Sequence, residues 1–329
     1  MSVQSDPVRP DLLRPDLVRP DLVRVACIGE CMIELSQLDL VTGQAHVGFA
    51  GDTLNTAVYL ARLRDGVSFL TNLGTDAFST RMLAMFAEEG IDCGLIGRHE
   101  ARLPGIYSIE VDAAGERSFR YWREASAART LFSGVGPRLD DLGRFQVIYL
   151  SGITLAILPE QVRADLIERL SALRDAGHRV VFDSNYRPRL WSDAATARGA
   201  FDAMWTACSL AMPSLDDEEL LYPGSSLVQV MDRIAGLGAP EIVLKNGAAG
   251  PLIRADGRQL QTALPRAERV VDTTGAGDSF NAGYLDARLA GASPEAAAAA
   301  GHRLACHVIA YPGGVIPKSA MPLSGPVQG

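Results

Sequence analysis

The sequence predicts an α/β fold: a mostly parallel sheet covered by helices on both faces, with a small β-sheet lid beside it. Two observations lead there. From Val147 onward, short apolar runs of strand length alternate with longer segments of helical period, and consecutive parallel strands require such crossovers. Between Gly105 and Trp122 the texture differs, with aromatic and β-branched residues alternating along two short runs, which is the pattern of a hairpin with one covered face. A composition of 47% hydrophobic and 21% charged residues over 329 positions can build a large core.

The first two dozen residues carry a repeat of period five, Arg9-Pro10-Asp11-Leu12, Arg14-Pro15-Asp16-Leu17 and Arg19-Pro20-Asp21-Leu22. Proline at every fifth position blocks a helix and draws each preceding arginine toward extended backbone, so residues 1–22 read as a flexible tail before one domain over 23–329. Val23–Ile28 reads as a buried strand ending at Gly29. Asp52–Leu63 reads as a helix with an acidic N-cap, Val67–Asn72 as a strand, and Ser79–Glu89 as a helix stopped by Gly90. Gly105–Val111 and Arg117–Trp122, with Ala114-Gly115 between them, form the expected hairpin, and lid strands are assigned from about 33–50 and 103–123. Then follow a strand at Val147–Ser151, a helix from about Pro159 to Ala176, and strands at Val180–Asp183, Leu210–Pro213 and Glu241–Lys245 separated by helices. Helices over Ala276–Ala290 and Pro294–Ile309 close the domain.

A formal net charge of −8 excludes a general basic field for nucleic acid or acidic membrane. Attraction for an anionic substrate must come from a few placed cations; nearly all the basic residues are arginine, and the lysines are Lys245 and Lys318. The five cysteines show no metal-ligand or paired spacing, which with no secretory pattern at the start leads to an expectation of free thiols and a cytoplasmic setting. The longest apolar run, Val147–Leu158, is too short to span a bilayer.

The chemistry concentrates in Asp272-Thr273-Thr274-Gly275-Ala276-Gly277-Asp278, which follows Val270-Val271 and opens an alanine-rich helix. Two glycines at a helix N-terminus let backbone N–H groups approach an anion, and the helix dipole favours its charge. Asp278 reads in two ways: as a helix-start acid complementing the dipole, or as a proton acceptor for an attacking hydroxyl beside the anion. Rival phosphate sites fail. Neither lysine follows glycine as a Walker loop requires, and the turn after Ile28 (Gly29-Glu30-Cys31-Met32-Ile33-Glu34) is not a dinucleotide fingerprint.

The Asp272–Asp278 turn resembles the C-terminal signature of the ribokinase-like (PfkB) carbohydrate kinases. Further stretches resemble the family in the same order: Gly29–Ser36, Gly51–Ala57, Leu73–Asp76, Leu103–Gly105, Tyr121–Arg123 and Asn185–Trp191. The set is most similar to members acting on a sugar acid. The resemblance implies a ribokinase-like domain with a β lid. It implies Asp278 as general base and Gly275, Ala276 and Gly277 as an anion hole. It further implies Gly51, Asp52, Asn55 and Asp272 as sugar-binding, or Asp272 instead as shaping a neighbouring site for a monovalent cation such as K+. Asp52 and Asn55 also read as the cap and first turn of a helix, but the resemblance favours their functional role. Ala50 stands where the family carries a second glycine.

A sugar acid carries a carboxylate, which a guanidinium fork answers with paired charge-assisted hydrogen bonds. Arg123 and Arg187, with Tyr107 and Tyr121, are the candidates, and Arg187 reads equally as an ATP ligand. Lys245-Asn246-Gly247-Ala248-Ala249-Gly250 resembles the family's nucleotide turn, which places Lys245, Gly247 and Gly250 at ATP with Asn185, Gly275 and Gly277. The family's N-x-x-E magnesium pattern is replaced by Ser214-Leu215-Asp216-Asp217, leaving Asp217 as the candidate metal ligand and ATP as the main carrier of Mg2+. The partners implied are a small sugar acid and ATP, with a homo-oligomer implied by the family's lid. A fructose, ribose or nucleoside kinase of the same fold and a non-catalytic sugar-binding regulator are the alternatives, with an oxidoreductase more remote.

Overall fold

Alternate residues of the first strand, β1 (Val25–Ile28), enter two different cores: Val25 and Cys27 one, Ala26 and Ile28 the other, all fully buried. A strand with period-two side chains covered on both faces must be apolar throughout. The computed structural model describes residues 22–39, 41–111, 117–261 and 264–322; the repeat through Asp21 and the hairpin turn at Ala114-Gly115 lie outside them.

The chain next forms β2 (Met32–Asp39), β3 (Gln44–Ala50), α1 (Asp52–Leu63), β4 (Val67–Leu70), β5 (Asn72–Gly74), α2 (Ala77–Glu88), β6 (Gly97–His99), β7 (Ile106–Val111) and β8 (Arg117–Trp122). There follow β9 (Val147–Ser151), α3 (Gly152–Ile157), α4 (Glu160–Asp175), β10 (Arg179–Asp183), α5 (Ala194–Ala207), β11 (Leu210–Met212), α6 (Leu215–Leu221), α7 (Leu227–Gly236) and β12 (Glu241–Leu244). The last elements are β13 (Leu252–Ala255), β14 (Arg258–Gln261), α8 (Ala276–Leu289) and α9 (Pro294–Val308). An eight-stranded sheet runs β14-β13-β12-β11-β10-β9-β1-β4, and its pairings are parallel from β12 to β4. Leu166 and Leu170 of α4, Phe201 of α5 and Ile234 of α7 cover one face. Leu54 of α1, Phe86 of α2, Tyr284 of α8 and Leu304 of α9 cover the other.

Chain order reverses at β1, which pairs with β4 on one side and β9 on the other. Such a reversal opens a crevice at the carboxyl ends of the strands, where ligands of open α/β sheets bind. The separate four-stranded sheet, β3-β2-β7-β8, leaves the core just past the carboxyl end of β1. It therefore stands beside that crevice.

Several local expectations are corrected. Val67–Asn72 is not one strand: β4 ends at Leu70, and Asn72 pairs with Gly97 in a two-stranded ribbon. Gly51 caps α1, and Asp52 lies in its first turn. Val270 and Val271 form no strand and stand exposed, so Asp272 ends a loop rather than a strand. The antiparallel β13–β14 hairpin was not anticipated, although Asp256-Gly257, both at positive φ (52° and 72°), carries the chemistry of a two-residue hairpin turn.

Candidate active site

Helix α8 begins at the crevice with Gly275 as its N-cap at φ 75°. A Cβ at Gly275 would lie 2.4 Å from the Gly314 carbonyl oxygen, so both backbone conformation and space require glycine. The loop carrying Gly314 is held down by Tyr59, whose hydroxyl donates to Gly314 O (2.9 Å) and accepts from Ile316 N–H (3.1 Å). Asp272 helps shape the same turn: it accepts from Thr274 N–H (3.0 Å), the Thr274 hydroxyl (2.8 Å) and Gly313 N–H (2.7 Å). The Gly275–Gly277 backbone is thus clamped from two sides at a helix N-terminus, an end that attracts an anion, with the Ala276 N–H already donating to Thr273 O at 3.2 Å.

Asp278 follows in the first turn and accepts from Asn55 Nδ2 at 2.8 Å. Burial, then the nearby charge of Asp52, pushes its carboxyl up to about 8; Asp183 adds to this, while Asn55 and Lys245 oppose it. A carboxyl with that proton affinity, beside an anion-accepting turn, can take a proton from a hydroxyl while incoming negative charge is held nearby.

Beneath it lies a buried polar network. Asp183, ending β10, accepts from Lys245 Nζ (2.8 Å), Asn281 Nδ2 (2.6 Å) and the Tyr149 hydroxyl (3.4 Å). Lys245 Nζ also donates to Asn281 Oδ1 (3.3 Å) and lies 3.7 Å from where a Gly277 Cβ would be. The ammonium is therefore set against the anion turn. Gly247 and Gly250, just beyond it, take positive φ (48° and 81°), and nothing lies within 4 Å of a Gly247 Cβ. That side of the turn is open.

Asp52 and Asn55 share the first turn of α1 and meet different partners. Asp52 accepts from Asn185 Nδ2 (2.7 Å), and burial raises its carboxyl against the opposing hydrogen bond from Ser151. The place of a Gly51 side chain is not open to a ligand: a Cβ there would meet Glu30 O at 2.0 Å, so this glycine serves the close approach of two chain segments. Ala50 ends β3 without a positive φ, so alanine fits there unstrained.

The two candidate arginines both have internal partners. Arg123 is 5% exposed and donates from Nη2 to Glu30. Arg187, half exposed, reaches Asp217 at 3.3 Å, and Asp217 also accepts from the Ser184 hydroxyl at 2.7 Å. Nothing in the geometry brings the two guanidinium groups together. Tyr107 donates to Glu34 and stacks on Tyr121 (centroids 5.7 Å apart), while Tyr121 stays 41% exposed.

Asp183, Asn281, Tyr149, Glu30 and Thr56, whose hydroxyl donates to Tyr149 at 3.2 Å, escaped the sequence reading. Position alone could have flagged two of them: Asp183 ends a core strand, and Asn281 sits three residues past Asp278 on one helix face. Among the described residues no three His, Cys, Asp or Glu side chains group to hold a metal ion alone. The gathered donors are oxygens, suited to magnesium. Asp52 and Asp183 both act on Asp278 with Lys245 as the opposing cation, an acidic excess that fits a divalent ion arriving on phosphates.

Against known proteins, residues 23–321 match the model of the pfkB family carbohydrate kinases. The chain is 46% identical over 310 residues to a 2-dehydro-3-deoxygluconokinase of Dickeya dadantii (strain 3937), covering 91% of this chain and 98% of that one. It is 44% identical over 308 residues to the enzyme of that name from Escherichia coli (strain K12), covering 91% and 98%. Among solved structures, a PfkB protein from Polaromonas sp. JS666 superposes with a TM-score of 0.77 at 25% identity, covering 88% of this chain and 96% of that one. No described helix is long and apolar enough to cross a membrane. The crevice at the reversal of strand order, the glycine turn and the family match agree: this chain belongs to the pfkB family of carbohydrate kinases.

Proposed function

We propose that the protein transfers the γ-phosphoryl group of ATP to the terminal hydroxyl of 2-dehydro-3-deoxygluconate (2-keto-3-deoxygluconate), forming 2-keto-3-deoxy-6-phosphogluconate. The observation that carries the chemistry is Asp278: a carboxyl raised to about 8, held by Asn55 at 2.8 Å in the first turn of α8 beside the Gly275–Gly277 amides. The acceptor's identity rests on the names of the relatives at 46% and 44% identity, together with buried Arg123.

In the proposed step Asp278 takes the proton of the acceptor's terminal hydroxyl as its oxygen attacks the γ-phosphorus. The bond from that phosphorus to the β,γ-bridging oxygen breaks, and ADP departs. Charge on the transferred group falls on the backbone N–H groups of Gly275, Ala276 and Gly277 and on Lys245, whose ammonium Asp183 holds against the turn. Gly247 leaves the adjacent surface open for the nucleotide, with Gly250 at positive φ just beyond it. Magnesium arriving on ATP would neutralise phosphate charge, and Asn185 and Asp217, whose side chains meet Asp52 and Ser184, would be the protein oxygen donors for it. Asp52 and Asn55 orient the acceptor's hydroxyls, Tyr107, Tyr121 and Arg123 line its lid side, and Arg187 serves either the acceptor's carboxylate or the phosphates. A monovalent cation such as K+ beside Asp272 is part of the reading, checked by replacing potassium with tetramethylammonium. So are a homo-oligomer and a cytoplasmic setting.

The test is ADP release with magnesium and ATP, comparing 2-keto-3-deoxygluconate, gluconate, fructose and ribose. Strong preference for the keto-deoxy acid is expected. Preference for fructose or ribose would overturn the acceptor while leaving Asp278 as base, and no turnover with any acceptor would favour a non-catalytic binder.

A further inference from the structure

Glu30 lies immediately past β1, at the junction of three parts of the crevice. Its backbone carbonyl fills the space a Gly51 side chain would need, 2.0 Å from that Cβ position. Its side chain accepts from Arg123 Nη2, just beyond β8 of the small sheet. Its other oxygen, Oε1, would lie 2.9 Å from a Cβ on Gly105, at the entry to β7. Glu30 is 2% exposed and Arg123 5%.

A buried ion pair stabilises little unless its remaining donors and acceptors are satisfied, because both charges give up hydration. This pair is not saturated. Glu30 Oε1 and Arg123 Nε are both shut from solvent, and neither has a hydrogen-bond partner. Orphaned polar atoms on both members of one buried pair are expensive in a static core. They are the expected state of a receptor whose ligand completes it. Only one nitrogen of the Arg123 fork is committed to Glu30, which leaves another N–H for an acceptor's carboxylate.

We infer that Glu30 is a positioning residue for acceptor recognition. It fixes the plane and depth of the Arg123 guanidinium so that the fork meets the carboxylate of a sugar acid as the small sheet packs against the core. This rests on the sugar-acid reading above. Its charge matters as well as its shape: Gly105 leaves room for the longer acid, and the carboxylate keeps an otherwise uncompensated guanidinium in place.

The experiment uses the full chain and the keto-deoxy acid as probe. Glu30→Gln keeps size and one acceptor atom but removes the charge. It is expected to raise the KM for the acid by about tenfold or more, the scale of one charge-assisted contact, while the KM for ATP stays within about twofold. In an Arg123→Lys background the same change is expected to add almost nothing, since Glu30 acts through Arg123. Glu30→Asp, retaining charge, should recover part of the loss, and it carries the same readout should the Gln variant not fold. An unchanged or lowered KM for the acid, an equal rise for ATP, or additivity in the double variant would each overturn the inference. Failure of the underlying reading looks different: the unmodified protein would then prefer a neutral acceptor, and the inference would fall with it.

Discussion

The proton affinity of Asp278 makes a quantitative demand on the pH profile. Its carboxyl is raised from 3.8 to about 8, by burial first and by Asp52 second. With a pKa near 8, about one Asp278 in ten is ionised at pH 7 and about nine in ten at pH 9, so the rate should rise about tenfold between those values if the ionised form is the base. Initial rates with both substrates well below KM report the free protein, where this value applies. Asp52→Asn removes the second cause of the shift. Its limb should move to lower pH, so the variant at pH 6–7 retains a larger share of its own plateau than the unmodified protein does. Lys245→Met removes an opposing cation, and its limb should move to higher pH. A profile flat from pH 6 to 9, or a limb unmoved by both substitutions, would refute Asp278 as the titrating base.

Other outcomes follow from the same contacts. Asp278→Asn should lower kcat by about 10²–10⁴-fold, the usual contribution of a general base, in the ADP-release assay. Relative to the unmodified protein, the same variant should gain in thermal stability as pH rises. The native carboxyl holds its proton more tightly than the unfolded one at 3.8, so its stabilising contribution is complete below that value and is lost as pH climbs through about 8; melting temperatures of both proteins from pH 4 to 9 check this. Lys245→Met should also raise the KM for ATP by about tenfold to a hundredfold, as expected for losing a charged phosphate contact, and steady-state kinetics at fixed acceptor measures it. Gly275→Ala faces a carbonyl 2.4 Å from its new Cβ and a φ of 75°. Backbone strain alone costs about 1–3 kcal/mol, so denaturant melts should show at least that loss, together with lost turnover.

Local sequence signals located the ends of β1, β9 and β10 and the starts of α1, α8 and α9, which place the crevice, but missed the end of β4 and the loop before Asp272. The Gly275–Asp278 turn was legible because one short segment supplies both the anion-binding amides and the acid. What folding alone decides is which carboxylates are neutralised. Asp183 is separated by 62 residues from Lys245 and by 98 from Asn281, and Glu30 by 93 from Arg123. No periodicity or cap rule reports such pairings. They determine function all the same. Glu30 has Arg123 and Asp217 has Arg187, so each of those acids stands with its own cation. Asp183 takes the Lys245 ammonium, and Asp278 is left with an amide from Asn55 and like charges on two sides. The surroundings of Asp278 favour holding a proton near neutral pH, and that asymmetry of partners, invisible in the order of residues, is what suits it to accept one.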